Sequence, residues 1–346
     1  MGTAAICEPF IKGIAMDFSL RQFLRRAAVA AALPIIFVVA IAQVGRGAWS
    51  QTQTIKIVVP FAPGGAADFL ARVLAEQFRR MRGPTIIVEN RPGAGSVVGA
   101  EAASRAAPDG STLLLNTKES IIIPHLRKVN YDPLTSFASI CLLVNSPTVI
   151  SVNNASPYRT LADLLDAARA HPAELTLGSS GPASPFQIGF EMLKRLANVD
   201  VTFVPYPGVA PAVNALLGGH VTSALTTYSS VAEQLKAGKL RALAAASTTR
   251  IEALPNVPTV AELGYNDFEV DIWDGLVAPA KTPKETISQL SGLFAAAMQV
   301  PEVKAKLVAQ GLYPADSVCG PQFDALIRKQ YDEYGRVIQD ANIKSE

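Results

Sequence analysis

Two α/β lobes with a ligand cleft between them are the fold class that this sequence predicts, and three observations predict it. The chain has 346 residues, more than one hydrophobic core of ordinary size uses. Strand-like and helix-like segments alternate along it, the signature of βαβ units. Near Ile140 a long β-rich passage, CLLVNSPTVISVN, interrupts the alternation, which then begins again.

Each element has its own reason. TIKIVVP, residues 54–60, is a β-branched run that predicts a buried strand; the amphipathic pattern over 66–81 predicts a helix, and TIIVE over 85–89 the next strand. This unit implies a parallel sheet. A helix over 96–106 follows a Pro-Gly turn, and STLLLN, 111–116, is a third strand behind the Pro108-Asp109-Gly110 turn. A second lobe is expected to start at Val149. It continues with the helix LADLLDAARAHP, capped by Thr160, the strand ELTLGSSG, a helix over 185–197, a strand over 201–206, helices over 210–217 and 231–237, and a strand over 240–247. After the Pro-rich connector ALPNVPTVAELG, FEVDIWDGLVAP is a strand passage whose Trp273 is expected to pack in the core or at a hinge. Three helical patterns follow, over 284–298, 301–310 and 321–341. They have no strands of their own and are expected to pack on the first lobe. The expected division is therefore 51–148 with 272–346 for a discontinuous first lobe, and 149–271 for the second.

The formal net charge is +2, but the first 50 residues hold five basic and two acidic side chains. Without them 26 basic face 27 acidic residues. A near-neutral body with no basic run lacks the electrostatic footprint of a nucleic-acid partner. Residues 1–50 read as an export signal. SLRQFLRR is basic, AAVAAALPIIFVVAIA is apolar but short for a membrane span, and Ala48-Trp49-Ser50 offers small residues for cleavage near Ser50. SLRQFLR also resembles a twin-arginine signal with Leu20 in place of its first Arg, so the export route stays open. The remaining cysteines, Cys141 and Cys319, have neither metal nor redox spacing. They are expected as two buried free thiols, although an oxidising compartment permits a disulfide.

Catalytic equipment is not evident. His125, His171 and His220 are isolated, each beside a turn residue or strand start, where capping or surface roles are expected. GSSGPAS is not G-x-S-x-G, and PFAPGGAADF lacks the Gly-Lys-Ser/Thr of a phosphate loop. No cofactor, metal or enzymatic activity is expected. Four Gly- or Pro-bearing elbows instead join strands to helices: PGGAAD, RPGAGS, SSGPAS and YPGVAPA. Each aims the first N–H groups of a helix outward at the positive end of its dipole. With no Lys or Arg in the first, third and fourth, a carboxylate suits them better than a polyphosphate. Asp68 has two readings, an acid complementing its own helix or a receptor for a ligand ammonium or hydroxyl.

These stretches, with VENRPGAGSVVGAEAASRAAPDGSTLLL, YDPLTSFASI, AGKLRALAAASTTRIEALPNVPTVAELG and WDGLVAPAKTP, resemble the extracytoplasmic receptors of tripartite tricarboxylate transporters, the Bug receptors, over about residues 55–344. The resemblance implies a type II periplasmic-binding-protein fold that closes over a small organic carboxylate. Carried over by motif, the ligand-binding residues are Phe61, Pro63, Gly64, Gly65 and Asp68 in the first loop, and Ser179, Ser180, Gly181 and Ser184 in the opposing one. Thr117 matches a small polar cleft position. Gly208, Val209 and Ala210 match another second-lobe loop, and Thr226 stands where an acid is common. Gln187 replaces a usual His, which removes an ionisable group. The resemblance implies a periplasmic, monomeric receptor delivering ligand to integral membrane transporter subunits. A periplasmic sensor feeding a membrane signalling protein is the alternative.

Overall fold

The computed structural model describes residues 54–181, 184–266, 268–316 and 318–343. The export signal and its cleavage point near Ser50 lie outside them. Within the first lobe, β1 (Thr54–Val59), β2 (Thr85–Asn90) and β3 (Thr112–Thr117) alternate with α1 (Ala66–Arg80), α2 (Val97–Ser104) and α3 (Lys118–Leu126). β4 (Phe137–Ser146) then leads across Pro147 into β5 (Thr148–Asn153), the first strand of the second lobe. There α4 (Leu161–Ala170), β6 (Thr176–Ser180), α5 (Pro185–Ala197), β7 (Thr202–Tyr206), α6 (Val209–Leu217), β8 (Ser223–Thr227), α7 (Tyr228–Lys236) and β9 (Leu240–Ala245) follow. β10 (Ile272–Pro279) returns to the first sheet, before α8 (Lys284–Gln299), α9 (Pro301–Ala309), β11 (Tyr313–Pro314) and α10 (Pro321–Asp340).

The two sheets run β11-β4-β10-β3-β1-β2 and β7-β6-β8-β5-β9. Each is mixed, and the parallel pairing expected of the first βαβ unit is present in the first. β1 is parallel to β2 and β3, but β10 is antiparallel to both β3 and β4. The reason lies in the connection: β10 enters from the other lobe and is under no obligation to form a crossover helix, the unit that enforces parallel pairing.

Local chemistry fixes the helix ends. Thr160 and Asp163 form a reciprocal capping box at α4, which satisfies two helix N-terminal donors at once. Ser184 caps α5 by accepting from the Gln187 N–H, and Pro185 occupies its first position, where a missing N–H costs nothing. α3 was not anticipated. Pro124 inside it and the β-branched run Ile121–Ile123 obscured a nine-residue helix.

Trp273 is 1% exposed, stands edge-on to Phe323 and donates from Nε1 to Gln330 Oε1 at 2.6 Å. It anchors a cluster in which Val58, Leu114 and Ile121 of the first lobe meet Phe323, Ile327 and Ile338 of α10. Ile188 of α5 reaches into this same cluster, so the second lobe packs on the first along one helix. Gly189 lets α5 lie close against Val270 within the second lobe, since a Cβ there would stand 2.4 Å from it. His125 stacks on Tyr331 and bonds its carbonyl oxygen.

The two chain crossings lie side by side. Asp271 accepts from the Thr148 N–H at 3.3 Å and from the Ser247 hydroxyl. Val270 N–H donates to Ala246 O and Ala246 N–H to Thr148 O, both at 2.8 Å.

The expectation of two free thiols is wrong. Cys141 and Cys319 form a disulfide across a sequence separation of 178 residues. The reason is local pairing that spacing could not reveal: Leu142 N–H donates to Val318 O, and Gly320 N–H to Ile140 O. These bonds bring the two Cα atoms to 4.0 Å. Closing so long a loop restricts the unfolded chain. A Cys141→Ser, Cys319→Ser double variant is expected to lose about 2–4 kcal/mol, measured as a lower urea midpoint, with reductant moving the unaltered protein the same way.

Candidate functional site

The elbow after β1 is held from behind. Asp68, 3% exposed, accepts from Gly64 N–H at 2.9 Å and Arg72 Nε at 2.8 Å on one oxygen, and from Asn90 Nδ2 at 3.0 Å on the other. Asn90 Nδ2 also donates to Phe61 O at 3.1 Å. The hydrogen bond from Arg72 leads the causes that hold this carboxyl down to about 2, against a smaller opposing effect of burial. All the partners of Asp68 are thus groups of the protein itself. Asn90, at the end of β2, is a loop-holder that motif reading missed.

Pro63, Gly64 and Gly65 form the exposed rim. Gly64 has φ +93°, which only glycine adopts readily. Gly65 differs: its φ is −82°, open to any residue, yet a Cβ there would meet nothing within 4 Å. It keeps free space at the N-terminus of a 15-residue helix. The neighbouring elbow, RPGAGS, winds through four successive positive φ values at Gly93, Ala94, Gly95 and Ser96. A Cβ on Gly95 would strike Ile123 at 2.6 Å, and Ser96 Oγ lies 3.3 Å from Ser120 Oγ in the first turn of α3.

In the second lobe Ser179 donates to Leu225 O at 2.5 Å, Ser184 Oγ donates to Ser180 O at 2.8 Å, and Gly181 N–H donates to Tyr206 O at 2.7 Å. These bonds shape the elbow between β6 and α5. Ser184 stands one turn before Ile188, where α5 meets the first lobe. Gly208 is the N-cap of α6, followed by half-buried Val209 and exposed Ala210.

Thr117 and Thr226, both expected near the cleft, are 1% and 0% exposed, and among the described residues neither hydroxyl makes a hydrogen bond of standard geometry, although the Thr117 hydroxyl acts on Glu119. Each lies at the C-terminal end of a strand that leads into a helix, in one lobe and the other. A buried hydroxyl left unpaired calls for water or ligand.

Sequence reading missed the acids around Thr117. Asp274 is buried beside half-buried Glu119, and burial, reinforced by Glu119, pushes Asp274 up to about 7. Burial likewise raises Asp271 to about 6. The signal was present: an aspartate inside IWDGLVAP is a charged residue in an otherwise apolar strand, which is costly without a reason. Among the described residues no group of three or more His, Cys, Asp or Glu could hold a metal ion.

The profile of the tripartite tricarboxylate transporter family receptor matches residues 70–343. The chain belongs to this family. It is 31% identical over 294 residues to BugT of Bordetella pertussis, covering 84% of this chain and 90% of BugT. It is 33% identical to a Pseudomonas sp. protein encoded in the tcbD–tcbE intergenic region, over 76% of this chain and 79% of that one. Among solved structures, the periplasmic binding protein BugD is 32% identical with a TM-score of 0.70, covering 85% of this chain and 99% of BugD. An R. palustris protein solved with adipate is 30% identical, TM-score 0.73, covering 86% and 99%. MatC from Rhodopseudomonas palustris, with bound malate, is 29% identical, TM-score 0.67, covering 83% and 99%. The two α/β lobes are those of the periplasmic binding proteins of this family, which are receptors and not enzymes as a class.

The Asp68 network gives a pH prediction. A carboxyl depressed to about 2 adds stability that is fully present above the unfolded value near 4 and is lost as pH falls towards 2. Asp68→Asn is expected to cost about 1–3 kcal/mol at pH 7. Thermal unfolding at pH 7 and 2.5 then shows a smaller difference between the two pH values than in the unaltered protein.

Proposed function

We propose that this chain is an extracytoplasmic receptor that captures a small organic carboxylate between its lobes and delivers it, unchanged, to a tripartite tricarboxylate-type membrane transporter. The observation that carries the proposal is Gly65. Its backbone does not require glycine, its missing Cβ leaves open space, and the donors of a long helix begin there. Such a position admits an anion against the backbone. The relatives solved with adipate and malate support a carboxylate as that anion.

In this reading the first lobe is 51–148 with 272–346 and the second is 149–271, exported as a monomer after cleavage near Ser50. Phe61, Pro63, Gly64 and Gly65 offer backbone and rim from one side. Ser180, Gly181, Gly208, Val209 and Ala210 offer them from the other. Thr117 and Thr226 supply buried hydroxyls. Asp68, Ser179 and Ser184 act one step back, holding the elbows in shape. Closure turns on the crossings beside Val149 and Trp273, a hinge of the kind such lobes use.

Gly65→Val tests the reading. Calorimetric titration with a panel of mono-, di- and tricarboxylates should find a ligand for the unaltered protein, and the substitution should weaken it at least a hundredfold. The melting temperature of the free variant should stay within about 2 °C, since a Cβ at this exposed position meets no heavy atom within 4 Å. Normal binding by Gly65→Val would remove the elbow as the dock.

A further inference from the structure

The end of β3 and the start of β10 meet at the edge of the first sheet. Their antiparallel register sets Asp274 directly opposite Thr117, so both side chains leave the sheet on one face. Glu119 follows two residues after Thr117, in the first turn of α3. Asp274 is 5% exposed. Among the described residues no hydrogen bond and no cation reaches its carboxyl, and the charged group that acts on it is another acid, Glu119. Glu119 Oε2 and Thr117 Oγ1 are buried and make no hydrogen bond of standard geometry among the described residues. The nearest cation in sequence, Lys118, is turned elsewhere, 5.6 Å from the centre of the Tyr334 ring and acting on Glu269 and Asp271 as well.

Three acceptor-bearing side chains thus converge with no donor among them except one hydroxyl proton. An interior site of this kind is expensive unless something with N–H groups fills it. Asp68 is already engaged by three donors of its own lobe, Gly64, Arg72 and Asn90, whereas the carboxyl of Asp274 has no such partners.

We propose that the ligand carries a protonated amine beside its carboxylate, and that Asp274 and Glu119, with Thr117 Oγ1, accept its N–H groups. The inference rests on the carboxylate-receptor reading and narrows the ligand to an amino acid-like class. Asp274 and Glu119 decide between an amine-bearing acid and its plain counterpart, while the elbows hold the carboxylate common to both. An ammonium displaces the proton that burial favours on Asp274. Affinity for the amine-bearing ligand therefore rises with pH between about 5.5 and 7, as Asp274 titrates near 7. Glu119 from α3 is the titratable group that faces it, and Lys118 acts on Glu119 in turn.

The test compares matched pairs on the mature chain by calorimetry: aspartate with succinate, glutamate with glutarate, β-alanine with propionate and 4-aminobutyrate with butyrate. At least one amine member is expected to bind tenfold or more tighter than its counterpart. In Asp274→Asn that ratio falls to about one, with binding of the plain acid retained, and Glu119→Gln shows the same direction should Asp274→Asn fail to fold. Plain acids binding as well as their amines overturn the amine site and leave the carboxylate receptor standing, as does a preference that survives both substitutions. If no member of any pair binds, the receptor reading and the amine site fall together.

Discussion

Asp271 braces the place where the two chain crossings lie side by side. Its carboxylate takes the Thr148 N–H where the chain leaves the first lobe and the Ser247 hydroxyl near where it returns. Burial raises this carboxyl to about 6, so the join costs solvation that its hydrogen bonds offset only in part. Everything beyond depends on it. With the crossings fixed side by side, β10 enters the first sheet between β3 and β4. Trp273 then reaches Phe323 on one face, while Asp274 faces Thr117 on the other. α5 comes to rest in the first lobe through Ile188.

The elbows at the cleft edge divide their labour between backbone and side chains. Gly64 and Gly65 leave open space beside the backbone, since a Cβ on either would meet nothing within 4 Å, and the polar side chains around the elbows mostly turn inward. Asp68, Asn90, Ser179 and Ser184 each bond the loop that they belong to or support. A loop braced in this way loses little further freedom when a ligand arrives, which is the advantage of preorganisation. Thr117 Oγ1, Thr226 Oγ1 and Glu119 Oε2 are among the described polar atoms that are not so engaged.

Much of this was legible in the sequence because it rested on short-range pattern. Alternation of β-branched runs with amphipathic stretches located nearly every helix and strand, and Thr160 announced a helix start that the structure repeats, with Asp163 completing the cap. The elbows were visible because glycine and proline punctuate turns. What escaped was set by distance along the chain. The Cys141–Cys319 bond depends on a bridge between segments 178 residues apart, and the meeting of Asp274 with Thr117 depends on the register of strands from opposite ends of the first lobe. Nor could sequence reading show that Asn90, 22 residues on, bonds Asp68.

The same topology orders the folding of the chain in time. Every strand of the second sheet comes from one uninterrupted stretch, Thr148 to Ala245, whereas the first sheet needs β10 and β11 from beyond it. Contacts between near neighbours in sequence form faster than those that close long loops. The inserted lobe can therefore condense first and serve as the rigid spacer that brings β10 back alongside β3. The corner where Thr117, Glu119 and Asp274 meet is then among the last parts of the protein to exist, and a chain that has not reached Pro279 has no such corner at all.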